Sequence, residues 1–244
     1  MFGYNSPSKK YGMKIIENLY YFSEFPMLDC SMYVLQNSEG NLTLIDAGNG
    51  SSLDKTIDSM ESLGLKSKNI KNVLITHEHL DHVLGLYPLV EMLPEKPKIY
   101  AHPQTAKILQ DGDEEQICPG SLGISAAEFG VEIKPLEIKS IEHGNKWQFG
   151  SFDFTAIQTP GHSVGSITYY DEGNKILFPG DVVFPQGSFG RYDFPGGDLT
   201  KLQQSIKTLA ELDVKYLCAG HMQFVENGSK HIQRSLQNIM SMSW

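Results

Sequence analysis

Short apolar runs alternate with polar turns along most of this chain. "MYVLQ" and "NLTLI" are β-rich runs on either side of a Ser-Glu-Gly-Asn turn, a hairpin pattern. Leu53, Ile57, Met60 and Leu63 then recur at helical spacing, with Ser51 or Ser52 placed to cap the helix and Gly64 to stop it. "KNVLIT" reads as a short buried strand, "VLGLYPLVEML" as a helix with Pro88 near its first turn, and "PKIYA" as another strand. Between residues 103 and 130 the periodicity weakens. A short helix, "QTAKILQ", precedes an acidic patch and a run of small residues, and the segment is expected to be a surface excursion able to act as a lid. The second half resumes the alternation. "FDFTAIQT", "SITYYD" and "KILFPGD" read as strands, and Asp198 caps a helix carrying Leu199, Leu202, Ile206 and Leu209. "VKYLCAG" is the expected final strand. A closing helix places Ile232, Leu236, Ile239 and Met240 on one face. No linker interrupts the pattern, so one domain is expected over residues 1–244, with residues 1–12 as an extended or disordered arm.

Composition narrows the function classes. The 244 residues carry a net charge of −9, and only Arg191 and Arg234 are arginines, so no basic stripe exists for nucleic acid. Cys30, Cys118 and Cys218 are scattered and form no C-x-x-C, which fits a reducing compartment. The opening "MFGYNSPSKKYG" lacks the apolar core of a signal peptide, and no run approaches the ~20 apolar residues of a membrane span. The expectation is a cytoplasmic protein acting on a small molecule, with neither nucleic acid nor membrane as partner.

The candidate chemistry lies where the strands end. His77, His79, Asp81 and His82 follow "VLIT", His162 follows "FTAIQ" in "TPGHS", Asp181 closes "KILFPGD", and His221 closes "KYLCAGH". Five of the eight histidines thus stand at strand exits beside two aspartates, a ligand set large enough for two metal ions. His77 and His79, two apart in extended chain, point the same way and can chelate one ion. Asp81 and His82, one turn on, can face a second, and a carboxylate such as Asp181 can bridge two ions at roughly 3.5–4 Å. His102, His143 and His231 fall outside these clusters and read as structural or surface residues. "DGDEEQ" lacks the spacing of a calcium loop and reads as a solvated turn.

"HEHLDH", "PGH", "PGD" and "AGH", in this order, resemble the metallo-β-lactamase superfamily across nearly the whole chain, and "LIDAG" resembles its first motif. The resemblance implies an α+β fold, an αββα four-layer sandwich with the site at one edge of the paired sheets. It also implies that His77, His79 and His162 hold one metal, that Asp81, His82 and His221 hold the other, and that Asp181 bridges. Asp46 would orient the ligand loop from behind. In β-lactamases active on antibiotics a cysteine typically replaces a ligand of the second metal. Here Asp81, His82 and Asp181 are intact and Cys218 lies off the pattern, which argues against that activity. Gly180 to Ile206, with "GRYDFPGG", is similar to the glyoxalase II-like branch, although Tyr192 stands where threonine is usual. Little chain follows His221, which implies a short form without the branch's glutathione-gripping helical domain.

The function so implied is a metal-dependent hydrolase of a thioester or related activated acyl compound, similar to a hydroxyacylglutathione hydrolase. Two divalent ions, zinc foremost with iron at one or both positions as the alternative, would provide a bridging hydroxide. Asp81 and Asp181 would fix and polarise it. Arg191, whose planar fork suits an anionic substrate, and Tyr192 are the expected substrate contacts. The rival readings are a mononuclear-iron oxidoreductase resembling the persulfide dioxygenases and, less favoured, a phosphodiesterase or nuclease on the same scaffold.

Overall fold

The structure, a computed structural model, describes residues 11–120 and 123–242, so most of the expected N-terminal arm lies outside the described residues. Gly12, assigned to that arm, already opens a strand. The first sheet runs in chain order through β1 (Gly12–Ile16), β2 (Leu19–Phe22), β3 (Met32–Gln36), β4 (Leu42–Ile45), β5 (Ile70–Leu74), β6 (Lys98–Ala101) and β7 (Ile138–Ser140). It is antiparallel from β1 to β4 and parallel from β4 to β7. The second sheet follows the order β13 (Val225–Glu226), β12 (Tyr216–Leu217), β11 (Ile176–Phe178), β10 (Ile167–Asp171), β9 (Phe152–Gln158) and β8 (Lys146–Phe149). Only its β11–β12 pair is parallel.

The central strands are apolar on both faces, so each needs cover on two sides. Along β3, Tyr33 and Leu35 face the second sheet, while Met32 and Val34 face helices. Those helices are α1 (Leu53–Ser62), α2 (Leu80–Val83), α3 (Leu86–Met92), α4 (Pro103–Asp111) and α5 (Glu114–Ile117). On the second sheet, Ile176 and Phe178 of β11 join the layer between the sheets. Leu177 turns outward onto α6 (Leu199–Leu209) and α7 (Gly228–Ser241). Three apolar layers between four layers of structure make the expected αββα sandwich. No helix among the described residues is long and apolar enough to cross a membrane.

Several local expectations are corrected. The 103–118 part of the presumed excursion packs inward: Ala106, Leu109, Ile117 and Cys118 belong to the first apolar layer. On α7, Met240 is 50% exposed and Ser235 is buried in its place, its hydroxyl donating to Ser188 O at 2.8 Å. The "VKYLCAG" strand is not the last, because β13 pairs with β12 after it. Ser52 occupies the position before α1 but makes no cap; its hydroxyl donates to Asp29 instead.

Two buried tyrosines join the sheets at the end where the polar clusters emerge. Tyr33 of the first sheet donates to Ala219 O (2.8 Å), two residues before His221. Tyr169 of the second donates to Ile75 O (2.9 Å), two residues before His77. Each bond satisfies a buried carbonyl that ends a strand. Tyr33→Phe and Tyr169→Phe should each destabilise the metal-free protein by about 1–3 kcal/mol in urea unfolding, the cost of an orphaned buried acceptor. A loss below about 0.5 kcal/mol, the range of ordinary surface changes, would show that these carbonyls find other partners.

Candidate metal centre

The backbone changes form inside the first cluster. His79 is extended (φ −67°, ψ 150°) and the next four residues form α2. His77 and His79 therefore belong to one group of ligand atoms and Asp81 and His82 to another, as their spacing suggests. Each group is completed by loops that leave β9, β11 and β12. His77, His79 and His162 form a buried set, and Asp81, His82, Asp181 and His221 form a second, with the ligand atoms of each set within 4.8 Å of one another.

The hydrogen bonds decide which ring nitrogens point inward. Thr76 Oγ1 donates to Asp46 Oδ2 (2.8 Å), so at 3.1 Å it can only accept from His77 Nδ1. His162 Nδ1 donates to Arg191 O (2.8 Å). Both rings must then present a bare lone pair at Nε2 when neutral, and these atoms lie 3.1 Å apart. His79 Nδ1 approaches the same His162 Nε2 at 2.8 Å. Burial pushes His77 well below the usual histidine range and His79 down to about 3, so these two rings favour the neutral form. Neutral imidazoles with converging lone pairs are a cation's ligand set.

The second group tells the same story with charge. His82 Nε2 and Asp181 Oδ1 are buried, 3.3 Å apart, and neither has a hydrogen-bond partner. His221 Nε2 lies 3.1 Å from Asp181 Oδ2 and 3.2 Å from Asp81 Oδ2. Burial opposes charge on both imidazoles, but Cys30 and then Asp181, Asp81 and Asp46 at His82, and Asp181, Asp81 and Glu24 at His221, outweigh it and raise both above the ordinary value. For Asp81 burial would raise the pKa, and His82 and His221 instead draw it down to about 2. A divalent ion would offset the charge of Asp81 and Asp181 in place of protons on these rings. A side chain at Gly220 would collide with Asp181 Oδ1 and His82, so that position must stay bare for the groups to meet. Cys30 also approaches His82 and Asp46, but burial pushes its thiol up to about 12 and His82 Nδ1 is spent on Asp46 (2.9 Å). That trio is no independent ion position.

Two residues escaped the sequence reading. Glu24 Oε2 accepts from His221 Nδ1 (2.8 Å), and its Oε1 accepts from Met222 N (3.1 Å). Buried Glu78 sits between His77 and His79, where its Oε2 accepts from Thr105 (2.8 Å) and Ser163 (3.1 Å) and ties two ligand loops to α4. The alternation of an extended chain could have signalled Glu78, which must point away from its flanking histidines. Nothing in the sequence signalled Glu24, 197 positions from its partner.

A pocket of about 610 Å³ opens over the clusters, with His79, Asp81, His162, Asp181 and His221 in its lining. Arg191 borders it, but its guanidinium is held by Asp193 through Nε (2.9 Å) and Nη2 (2.7 Å) and lies 4.1 Å over the Phe194 ring. Tyr192 does not line the pocket; it packs against the outer apolar layer of the second sheet. His102, His143 and His231 each accept a backbone N–H away from the site, from Gln104, Gln158 and Gln186.

Removing the Glu24 carboxylate should leave the first group intact and weaken the second. In Glu24→Ala, competition with a metallochromic chelator should show one site unchanged and the other weakened about 10–100-fold. Two unchanged sites would mean that Glu24 serves the fold alone.

The sequence model of the metallo-beta-lactamase superfamily matches residues 26–221. The hydroxyacylglutathione hydrolase GloC of Haemophilus influenzae is 30% identical over 218 residues, 87% of this chain and 94% of that protein. Among solved structures, the BLEG-1 B3 metallo-beta-lactamase aligns with a TM-score of 0.71 at 27% identity, covering 87% of this chain and 95% of its own. TTHA1623 in a di-iron-bound form aligns at 0.67 and 29%, covering 85% and 94%. With the family's motifs converged at the edge of an αββα sandwich, this chain belongs to the metallo-beta-lactamase superfamily.

Proposed function

We propose that the protein is a hydrolase of activated acyl compounds, thioesters foremost, working with two divalent metal ions. His77, His79 and His162 would hold one ion, Asp81, His82 and His221 the other, and Asp181 both. The observation that carries the two-ion reading is the place of Asp181. Its Oδ2 lies 3.7 Å from His162 Nε2 and 3.1 Å from His221 Nε2, while Oδ1 faces His82. A single-iron oxidoreductase would leave the Asp81, His82 and His221 side without a task. Imidazole-rich ligation suits zinc, with iron the alternative, and the di-iron form of TTHA1623 supports keeping both.

Two such ions, held by these residues, would activate water at neutral pH and act as Lewis acids toward an acyl carbonyl. The protein's own part is positioning. Asp46, Glu24 and the Arg191 carbonyl each hold the outward nitrogen of a ligand ring, so the inward nitrogens stay aimed. In hydrolysis the acyl–sulfur or acyl–oxygen bond breaks and water oxygen bonds the acyl carbon. The products are a carboxylate, a thiol or alcohol, and one proton.

The lining explains the preference for activated substrates. Among the described residues it contains no Ser, Thr, Cys, Lys or Tyr, so no hydroxyl, thiol or amine side chain stands over the clusters as nucleophile or proton donor. A leaving group must depart without one. A thiolate can, because a thiol's pKa is near 8.5; an amine cannot. Arg191 contributes to substrate contact through its aromatic stack at the rim. Three free, buried cysteines support a cytoplasmic setting.

Zinc-loaded protein should cleave a thioester or aryl ester at least about 10³-fold faster than the matching amide, roughly 4 kcal/mol in barrier. Comparable amide hydrolysis would reveal a proton donor in the site and defeat this reading. Metal analysis should find two ions per chain at saturation. His77→Ala should lose the first and Asp181→Ala should weaken both; a saturating ratio of one would refute the paired site.

A further inference from the structure

The loop from residue 24 to 31, between β2 and β3, carries features that the metal centre does not require. At its tip Met27 and Leu28 both have positive φ, 81° and 52°. Met27 is 83% exposed and Leu28 43%. Left-handed backbone is unfavourable for such residues, and the side chains gain little burial in return. The loop is nevertheless held firmly. Asn49 Nδ2 donates to Met27 O (3.0 Å) and to Leu28 O (2.9 Å). Asp29 accepts from Phe25 N (3.1 Å), Asn49 N (3.0 Å) and the Ser52 hydroxyl (2.7 Å). Strain kept in place by this many bonds points to a use for the tip.

Its location says which use. Met27 and Leu28 line the same pocket as the metal-binding clusters, together with Phe25, Phe184, Phe189 and Phe194. Charge points the same way. Arg191 is the one fixed cation among the described lining residues, and Asp193 already occupies its fork. Glu24 and Asp29, also in the lining, add no positive charge, and both are already bonded within the protein. The rim therefore offers apolar surface and no free positive charge.

We propose that this pocket selects activated acyl compounds whose non-reacting part is an alkyl or aryl group, seated against Met27, Leu28 and the phenylalanines, over charged, net-anionic thioesters such as a hydroxyacylglutathione. This selection rests on the hydrolase reading above. A fully buried methylene favours binding about fourfold, and on a rim open at one side about twofold per methylene is expected.

The test uses zinc-loaded protein and p-nitrophenyl acetate, butyrate and hexanoate, which share one leaving group, with S-lactoylglutathione as the anionic arm. From acetate to hexanoate kcat/KM should rise about tenfold or more, chiefly through KM, and hexanoate should be preferred to S-lactoylglutathione. In Met27→Ser/Leu28→Ser the hexanoate-to-acetate ratio should fall toward one. The same variant should weaken binding of the neutral fluorescent probe N-phenyl-1-naphthylamine to metal-free protein. A ratio flat with chain length, or preference for S-lactoylglutathione, overturns the selection and leaves the hydrolase reading standing. Failure to cleave any of these compounds sinks the hydrolase reading instead, and the probe alone then decides: equal binding to variant and wild type overturns the apolar rim. An unchanged ratio with a change of mass in light scattering would make the tip a contact between copies and overturn the proposal.

Discussion

A single buried carboxylate organises the centre of this molecule. Asp46 ends β4 with φ at 61°, a left-handed conformation that aspartate tolerates better than most residues. Its Oδ1 accepts the Thr76 N–H, and its Oδ2 accepts both the Thr76 hydroxyl and His82 Nδ1. An ionised carboxylate excluded from water is costly unless such donors surround it. The need for those donors binds the end of β4 to the end of β5 and to the ligand turn beyond. It also sets ring orientation twice, directly at His82 and through Thr76 at His77. Without it the inward nitrogens of both rings would have no fixed direction.

The same logic recurs at the other ligands from different elements. His162 gives its outward nitrogen to the Arg191 carbonyl, and His221 gives its own to Glu24. Glu24 follows a strand of the first sheet and His221 a strand of the second, so that bond exists only when the two sheets are stacked. Tyr33 and Tyr169 fasten that stacking beside the ligand loops, and Ile167 N bonds Thr76 O across the sheets at 2.9 Å. Fold stability and ligand aim thus share the same few bonds, which is why the centre sits at the edge where strands from both sheets end.

This division explains what the sequence disclosed. The candidate ligands could be picked out because each follows an apolar run, and a strand's end is visible in one-dimensional pattern. The four-layer architecture came only as what the resemblance carried by the ordered motifs implies. Partners contributed by remote loops left no such trace, as Glu24 shows. The inward packing of residues 103–118 was hidden because α4 buries Thr105 and Ala106 beside Leu109, and small side chains give a weak periodic signal. Tyr192 was misplaced for a related reason. Nearness in sequence to Asp181 does not say which face of a loop its side chain takes, and here it joins the outer apolar layer.

The 24–31 loop draws the two levels together. One end, through Glu24, touches a ligand ring; the tip, through Met27 and Leu28, touches the pocket mouth. Just past the tip, Asp29 fixes the loop to Asn49 and Ser52, bonds that depend on neither the ring nor the tip side chains. The carbonyl oxygens of Met27 and Leu28 are held by Asn49 whatever side chains those positions carry. The tip can therefore change chemistry while Glu24 keeps its distance from His221. A scaffold built this way separates the aim of its ligands from the character of its entrance, and within one family that allows a shared metal chemistry to serve substrates of different polarity.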